Sequence, residues 1–159
     1  MFTSPPAPAR SRRKRLIAAV LTATALTAGG LVTAAPADAA TVGQKAVAEA
    51  KRHTGKPYQY GAAGPSRFDC SGYTLYVFKR LGRSLPHNAA QQYGARGVRK
   101  LAKSQKAVGD LLFMKNSGGR ITHVGIYAGS NRWYVAPKAG DKVKLQTLYS
   151  SNYLVGRVA

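Results

Sequence analysis

The sequence predicts a single α+β domain, with helices first and an antiparallel sheet after them. Three observations carry that expectation. The chain has 159 residues, 45% of them hydrophobic, which suits one core rather than two. Up to Tyr93 apolar residues recur at three- and four-residue spacing, the period of an amphipathic helix. Beyond Gly109 they fall into short runs rich in β-branched and aromatic side chains, separated by turn residues. No internal repeat is visible, and nine Tyr and four Phe among many Val and Leu argue against disorder.

The first 39 residues read as an address. Arg10-Ser11-Arg12-Arg13-Lys14-Arg15 precedes an apolar run over 16–35, and Ala37-Asp38-Ala39 supplies a small-x-small cleavage pattern. A basic stretch, an apolar stretch and such a site together describe a secretory signal peptide, so the folded protein is expected to be 40–159 and to act outside the cell or in its wall. A retained membrane helix is the alternative, but Thr22, Thr24, Thr27, Gly29 and Gly30 dilute the run. The export route, general or twin-arginine, stays open.

Within 40–159 the elements follow in order. Val42, Ala46, Val47 and Ala50 predict a helix over 41–52, stopped by Gly55-Lys56-Pro57. A Gly/Pro/Ser-rich loop over 61–67 leads to Phe68-Asp69-Cys70-Ser71-Gly72, and Cys70, Tyr73, Val77 and Leu81 then recur at helical spacing up to Gly82. Pro86-His87-Asn88 opens a short helix through Tyr93. Five strands are expected over 110–115, 123–128, 132–136, 142–147 and 153–158, parted by the turn chemistry of Asn116-Ser117-Gly118-Gly119, Gly129-Ser130-Asn131 and Ala139-Gly140-Asp141. Sequential strands are expected to be neighbours, and Trp133-Tyr134 to give one core ring and one exposed ring.

Charge bounds the partners. The chain carries 25 Lys and Arg against five Asp and Glu; removing 1–39 takes five bases and one acid, leaving 20 against four and a net charge of +16. That excess, densest at Arg96, Arg99, Lys100, Lys103 and Lys106, attracts polyanions. In an exported protein anionic cell-wall polymer fits better than nucleic acid, for which no sequence motif is present. The bland alternative is a solvated, solubilising surface.

The chemistry-bearing residues are few. One cysteine excludes a disulfide within the chain and a Cys-rich zinc site. A lone cysteine in an exported protein is either a small buried residue or a nucleophile. Cys70 stands where a loop joins a predicted helix, where unpaired N–H groups favour a thiolate and can hold a tetrahedral oxyanion. A nucleophile needs a base, and His53, His87 and His123 are the candidates. His123 opens a strand beside a Gly-rich turn. His53 reads as a surface or helix-end residue, and His87 as structural with access to a cleft. Periodicity alone does not choose among them.

Tyr58-Gln59-Tyr60-Gly61, Phe68-Asp69-Cys70-Ser71-Gly72-Tyr73, Leu85-Pro86-His87-Asn88, Gly109-Asp110-Leu111-Leu112-Phe113 and His123-Val124-Gly125-Ile126-Tyr127 occur in that order. The series resembles the NlpC/P60 family of papain-like cysteine peptidases over nearly all of 43–158. The resemblance implies a papain-like fold, N-terminal helices packed on an antiparallel sheet of about five strands, and an exported endopeptidase that cuts amide bonds in peptidoglycan stem peptides between D-γ-glutamyl and a diamino acid. It assigns Cys70 as nucleophile, His123 as general base and Tyr58 as a hydroxyl at the oxyanion or substrate site. It places Asp69 and Ser71 against the stem peptide, although Asp69 also reads as a helix N-cap. A thioester route needs no cofactor and no metal, and the protein is expected to be a monomer.

One position departs from the pattern. Similar enzymes carry a polar residue twelve positions after the base, to orient the imidazole; here that residue is Val135. Losing the orienting group is costly in the serine-protease template, on the order of 10⁴ in rate. The expected activity is therefore a working but weakened peptidase. The alternatives are a wall-binding module without turnover, and an exported antibacterial toxin using the same chemistry.

Overall fold

The computed structural model describes residues 37–159 together with Met1, and side chains from Val42 onward. The signal segment expected over 1–39 lies, through residue 36, outside the described residues. Among those described, no helix is long and apolar enough to cross a membrane. Helix α1 (Ala37–Lys51) starts earlier than its apolar spacing predicts, so a cut after Ala39 would leave most of it. Ala46 and Ala50 are fully buried, and small side chains there let the neighbouring helix α2 (Cys70–Arg80) come close enough for the Tyr73 hydroxyl to donate to the Ala50 carbonyl at 2.8 Å. In α2, Tyr73, Val77 and Phe78 form the buried stripe, while Lys79 and Arg80 in the last turn favour the negative end of the helix dipole. Helix α3 (Ala89–Gly94) is capped by Asn88, whose side chain accepts from the Gln91 amide at 3.0 Å. Gln92, fully buried, stitches α3 to α2: its amide donates to the Ser71 and Pro86 carbonyls and accepts from the Thr74 hydroxyl.

The sheet has six antiparallel strands: β1 (Val98–Leu101), β2 (Leu111–Lys115), β3 (Ile121–Gly129), β4 (Arg132–Val135), β5 (Lys144–Thr147) and β6 (Tyr153–Val158), in the spatial order β1-β6-β2-β3-β4-β5. Strands β2 to β5 form the expected meander. Strand β6 instead returns to the free side of β2, Leu111 facing Gly156 there and Ile126 on the other side. Strand β1 was not among the five expected. It pairs only with β6, and Arg99 and Lys100 at its middle face solvent. Charged residues are how edge strands resist further pairing, and the same residues hide the strand inside a basic run.

Alternation sorts the sheet residues onto two faces. Leu111, Phe113, Val124, Ile126, Tyr134 and Val158 pack under the helices. Leu112, Met114, Trp133, Val135, Leu148, Tyr153 and Val155 form a second apolar cluster on the far face. Trp133 and Tyr134 are both buried, one on each face, in place of the one exposed ring expected. A side chain at Gly125 would put a Cβ 2.5 Å from the Trp133 ring and 2.7 Å from the Tyr134 carbonyl oxygen, so only glycine lets the indole lie across β3. Gly72 meets the same demand in α2, where the 61–63 loop crosses its first turn.

Candidate active site

Asp69 is the residue around which the beginning of α2 is built. Its Oδ1 accepts from the Gly72 amide at 2.7 Å, the N-cap bond, and from the Ser71 hydroxyl at 3.1 Å. Its Oδ2 accepts from the Gly61 amide at 2.9 Å and is bonded to His87 Nε2 at 2.8 Å. A buried carboxylate needs this much donation, and the result locks the 58–61 loop, α2 and the approach to α3 together. Cys70 follows directly as the first residue of α2, half-buried. Helix α2 packs against β3, and the amides of Val124, Ser71 and Cys70 itself favour ionisation of its sulfur. His123 precedes Val124 in that strand.

Tyr58, Asp69, Cys70, Ser71 and His123 all line one cavity of about 930 Å³, open to solvent, with His87, Arg120 and Lys138 also on its walls. Val135 does not reach it. It is fully buried in the far-face cluster, beside Trp133. His123 stands at the rim between the two environments. Its ring lines the cavity, and it meets the Trp133 indole edge-on, centroids 5.7 Å apart. No hydrogen bond to the imidazole is formed among the described residues.

The electrostatics differ from those expected at a helix start. Burial raises the Cys70 pKa above its ordinary value and the Asp69 carboxylate adds to the rise; the Val124, Ser71 and Cys70 amides oppose them without prevailing. The dipole expectation fails because the sulfur is buried and because the same carboxylate that caps the helix places negative charge beside it. Burial also pushes His123 down to about 4, against the pull of Asp69. Around neutral pH the pair is thus a thiol facing a neutral imidazole. Tyr58 is raised by burial first and then by Cys70 and Asp69, so its phenol remains a proton donor.

The other histidines part company. His53 is not a surface residue: it is buried, with Nε2 3.1 Å from Glu49 and Nδ1 2.9 Å from Lys56, and its ring packs edge-on against Phe68 and Tyr76. His87 lines the cavity and is bonded to Asp69. Two aromatic residues stand near the site, Trp133, read from sequence only as one of a core and an exposed ring, and Tyr149, which sequence reading missed. Trp133 packs between His123 and Tyr149, whose centroid lies 6.0 Å from the indole. Burial, and then the charge of a Cys70 thiolate, raise the Tyr149 pKa. Trp133 looks like any core aromatic in sequence, and Tyr149 sits in a loop without pattern. Among the described residues no three His, Cys, Asp or Glu side chains gather as metal ligands do.

A thiol at the start of a helix, facing a histidine on the adjoining antiparallel sheet, defines a papain-like α+β domain. Residues 55–156 match the NlpC/P60 family, and the chain belongs to it. It is 47% identical over 112 residues to the probable endopeptidase p60 of Listeria grayi, an overlap covering 69% of this chain and 21% of that protein. It is 36% identical over 116 residues to the bifunctional muramidase/DL-endopeptidase CwlT of Bacillus subtilis, covering 69% and 35%. The solved NlpC/p60 domain of the peptidoglycan hydrolase SagA is 35% identical with a TM-score of 0.64, covering 74% of this chain and 98% of that domain. The chain matches about a fifth to a third of the length of those two curated relatives.

Proposed function

We propose that this chain is an exported cysteine endopeptidase that hydrolyses D-γ-glutamyl–diamino acid amide bonds in peptidoglycan stem peptides. The observation that carries this reading is that Cys70, at the start of α2, and His123, in β3, line one cavity wide enough for a peptide. The names of the relatives supply the substrate class. Because the thiol and imidazole rest neutral, the proton moves from sulfur to His123 as the sulfur attacks the carbonyl. The Tyr58 phenol and the amides at the start of α2 are the donors for the oxyanion. His123 then gives its proton to the departing amine, leaving a thioester on Cys70. Water, deprotonated by the same imidazole, releases the acyl group and restores the thiol.

A wall-binding module without turnover is the second reading, favoured by the burial of Val135 where an orienting group is expected. Mass spectrometry of muropeptides treated with the purified protein separates the two. Wild-type protein should release new amine ends at one bond and Cys70→Ala none. Wild-type protein behaving like Cys70→Ala overturns the peptidase reading. Export, and attraction to anionic wall polymer, belong to the same proposal. A toxin role would rest on the same chemistry with another cell's wall as target.

A further inference from the structure

The four acids of 40–159 are all engaged. Glu49 is bonded to Arg52 and His53 and lies near Arg80, Asp69 to His87, Asp110 to Arg157, and Asp141 to Lys144. Among the described residues the only carboxylate lining the cavity is Asp69, with both oxygens occupied. Two cations also line it, Arg120 and Lys138, both exposed. Neither side chain has a hydrogen-bonded or ion-paired partner among the described residues. Asp141, the acid on Lys138's own loop, is taken by Lys144 at 2.6 Å.

The placement of these cations is as telling as their charge. Arg120 leads into β3 three residues ahead of His123, and Lys138 follows β4, the strand paired with β3. Both belong to segments that flank the imidazole. In the proposed reaction His123 hands its proton to the departing amine, so the leaving half of the substrate lies on its side of the cavity. That half is the diamino acid. We infer that Arg120 and Lys138 read a carboxylate on the side chain of that diamino acid, so that the enzyme prefers a diaminopimelate-type residue with a free carboxylate over lysine or an amidated side chain. Lysine and diaminopimelate share a side-chain ammonium, which meets two like charges in a cavity with no free acid among the described residues; only diaminopimelate sets a carboxylate beside it to offset them. A carboxylate would instead gain charge-assisted hydrogen bonds, bidentate where the guanidinium is concerned.

The inference rests on the peptidase reading, and the experiment keeps the two apart. Stem tetrapeptides ending in D-Ala, identical except for a free side-chain carboxylate, its amide, or lysine, are given to wild-type protein and to Arg120→Gln/Lys138→Gln. The free carboxylate should be cut with kcat/KM about tenfold above the other two, the difference residing in KM. The double variant should bring the three within about twofold, while Arg120→Lys/Lys138→Arg keeps the order. Binding of the same peptides to Cys70→Ala, with and without the double substitution, is measured by calorimetry. If wild-type protein cuts nothing, the peptidase reading fails, and the binding series still decides the inference. Equal binding or cleavage of the three peptides, or a preference that survives in the double Gln variant, overturns it.

Discussion

Across one cavity the side chains proposed as nucleophile and base are held by opposite means. Beside Cys70, Asp69 takes part in four hydrogen bonds and ties a loop and a helix start to His87. Around His123 the described residues offer no hydrogen bond to the ring, and its neighbour is the edge of a buried indole. Behind that indole lies an apolar cluster that includes Val135. The difference shows in the titrations. On the polar wall burial, and then a fixed negative charge, oppose ionisation of the thiol. On the apolar wall burial alone keeps the imidazole neutral. In the proposed reaction, a site that lacks an orienting side chain positions its base through packing but forgoes the stabilisation a hydrogen-bonded partner lends to an imidazolium.

The comparison breaks most visibly at Trp133. Trp133→Ala should cost about 3–5 kcal/mol in urea denaturation, and turnover by the fraction still folded should drop as well, because the ring's support is gone. Unchanged turnover per folded molecule would show that packing does not hold His123. On the other wall, Asp69→Asn keeps the shape and removes the charge. It should cost about 1–3 kcal/mol through weakened bonds, yet iodoacetamide should reach Cys70 at lower pH than in wild-type protein, whose thiol reacts appreciably only toward alkaline pH. An unmoved pH profile would remove Asp69 as a cause of the raised thiol.

Val135→Asn sharpens the contrast. An amide unpaired in the far-face cluster costs about 1–3 kcal/mol; bonded to the imidazole it should cost less and lift the His123 titration toward its ordinary value, as read by NMR. A full stability cost with no shift in His123 would mean that the position cannot reach the ring. A smaller effect follows from pH. The folded His123 titrates at about 4 against 6.5 in the unfolded chain, so between those values the unfolded chain binds more protons. Stability should therefore be full above about pH 6.5 and decline as pH falls toward 4. His53, also lowered by burial, contributes in the same direction. His123→Asn should flatten part of that slope in urea midpoints; an identical slope would contradict the depressed pKa. Smallest is the effect of salt. Retention of the protein on cell walls should weaken as ionic strength screens its surface cations, and constant retention would argue against the polyanion partner.

Much of the fold was legible because it is written in short-range pattern. The α2 cap at Asp69, the Asn88 cap and five of six strands follow from turn residues and from spacing. Strand β1 was hidden because an edge strand is defined by what it pairs with, and Arg99 and Lys100 carry no signal of the Val155–Val158 segment opposite. Cys70, His123, Tyr58, Asp69 and Ser71, the residues expected at the site, line one cavity. The role of His87 as partner to Asp69, and the burial of His53, depend on contacts across the chain that spacing does not reveal.

By itself the sequence determined the order of helices and strands, the family, and the residue types available for chemistry, since each is a matter of local period, capping or motif. The tertiary structure decided the states of those residues. Whether a helix-start cysteine is a thiolate depends on how deeply it is buried and which charge stands beside it; Asp69 is its neighbour in sequence, but the burial that outweighs it is set by segments remote in the chain. The same holds for Val135. Its identity announced a missing hydrogen bond, and only the far-face packing showed that an indole stands beside the histidine in its place.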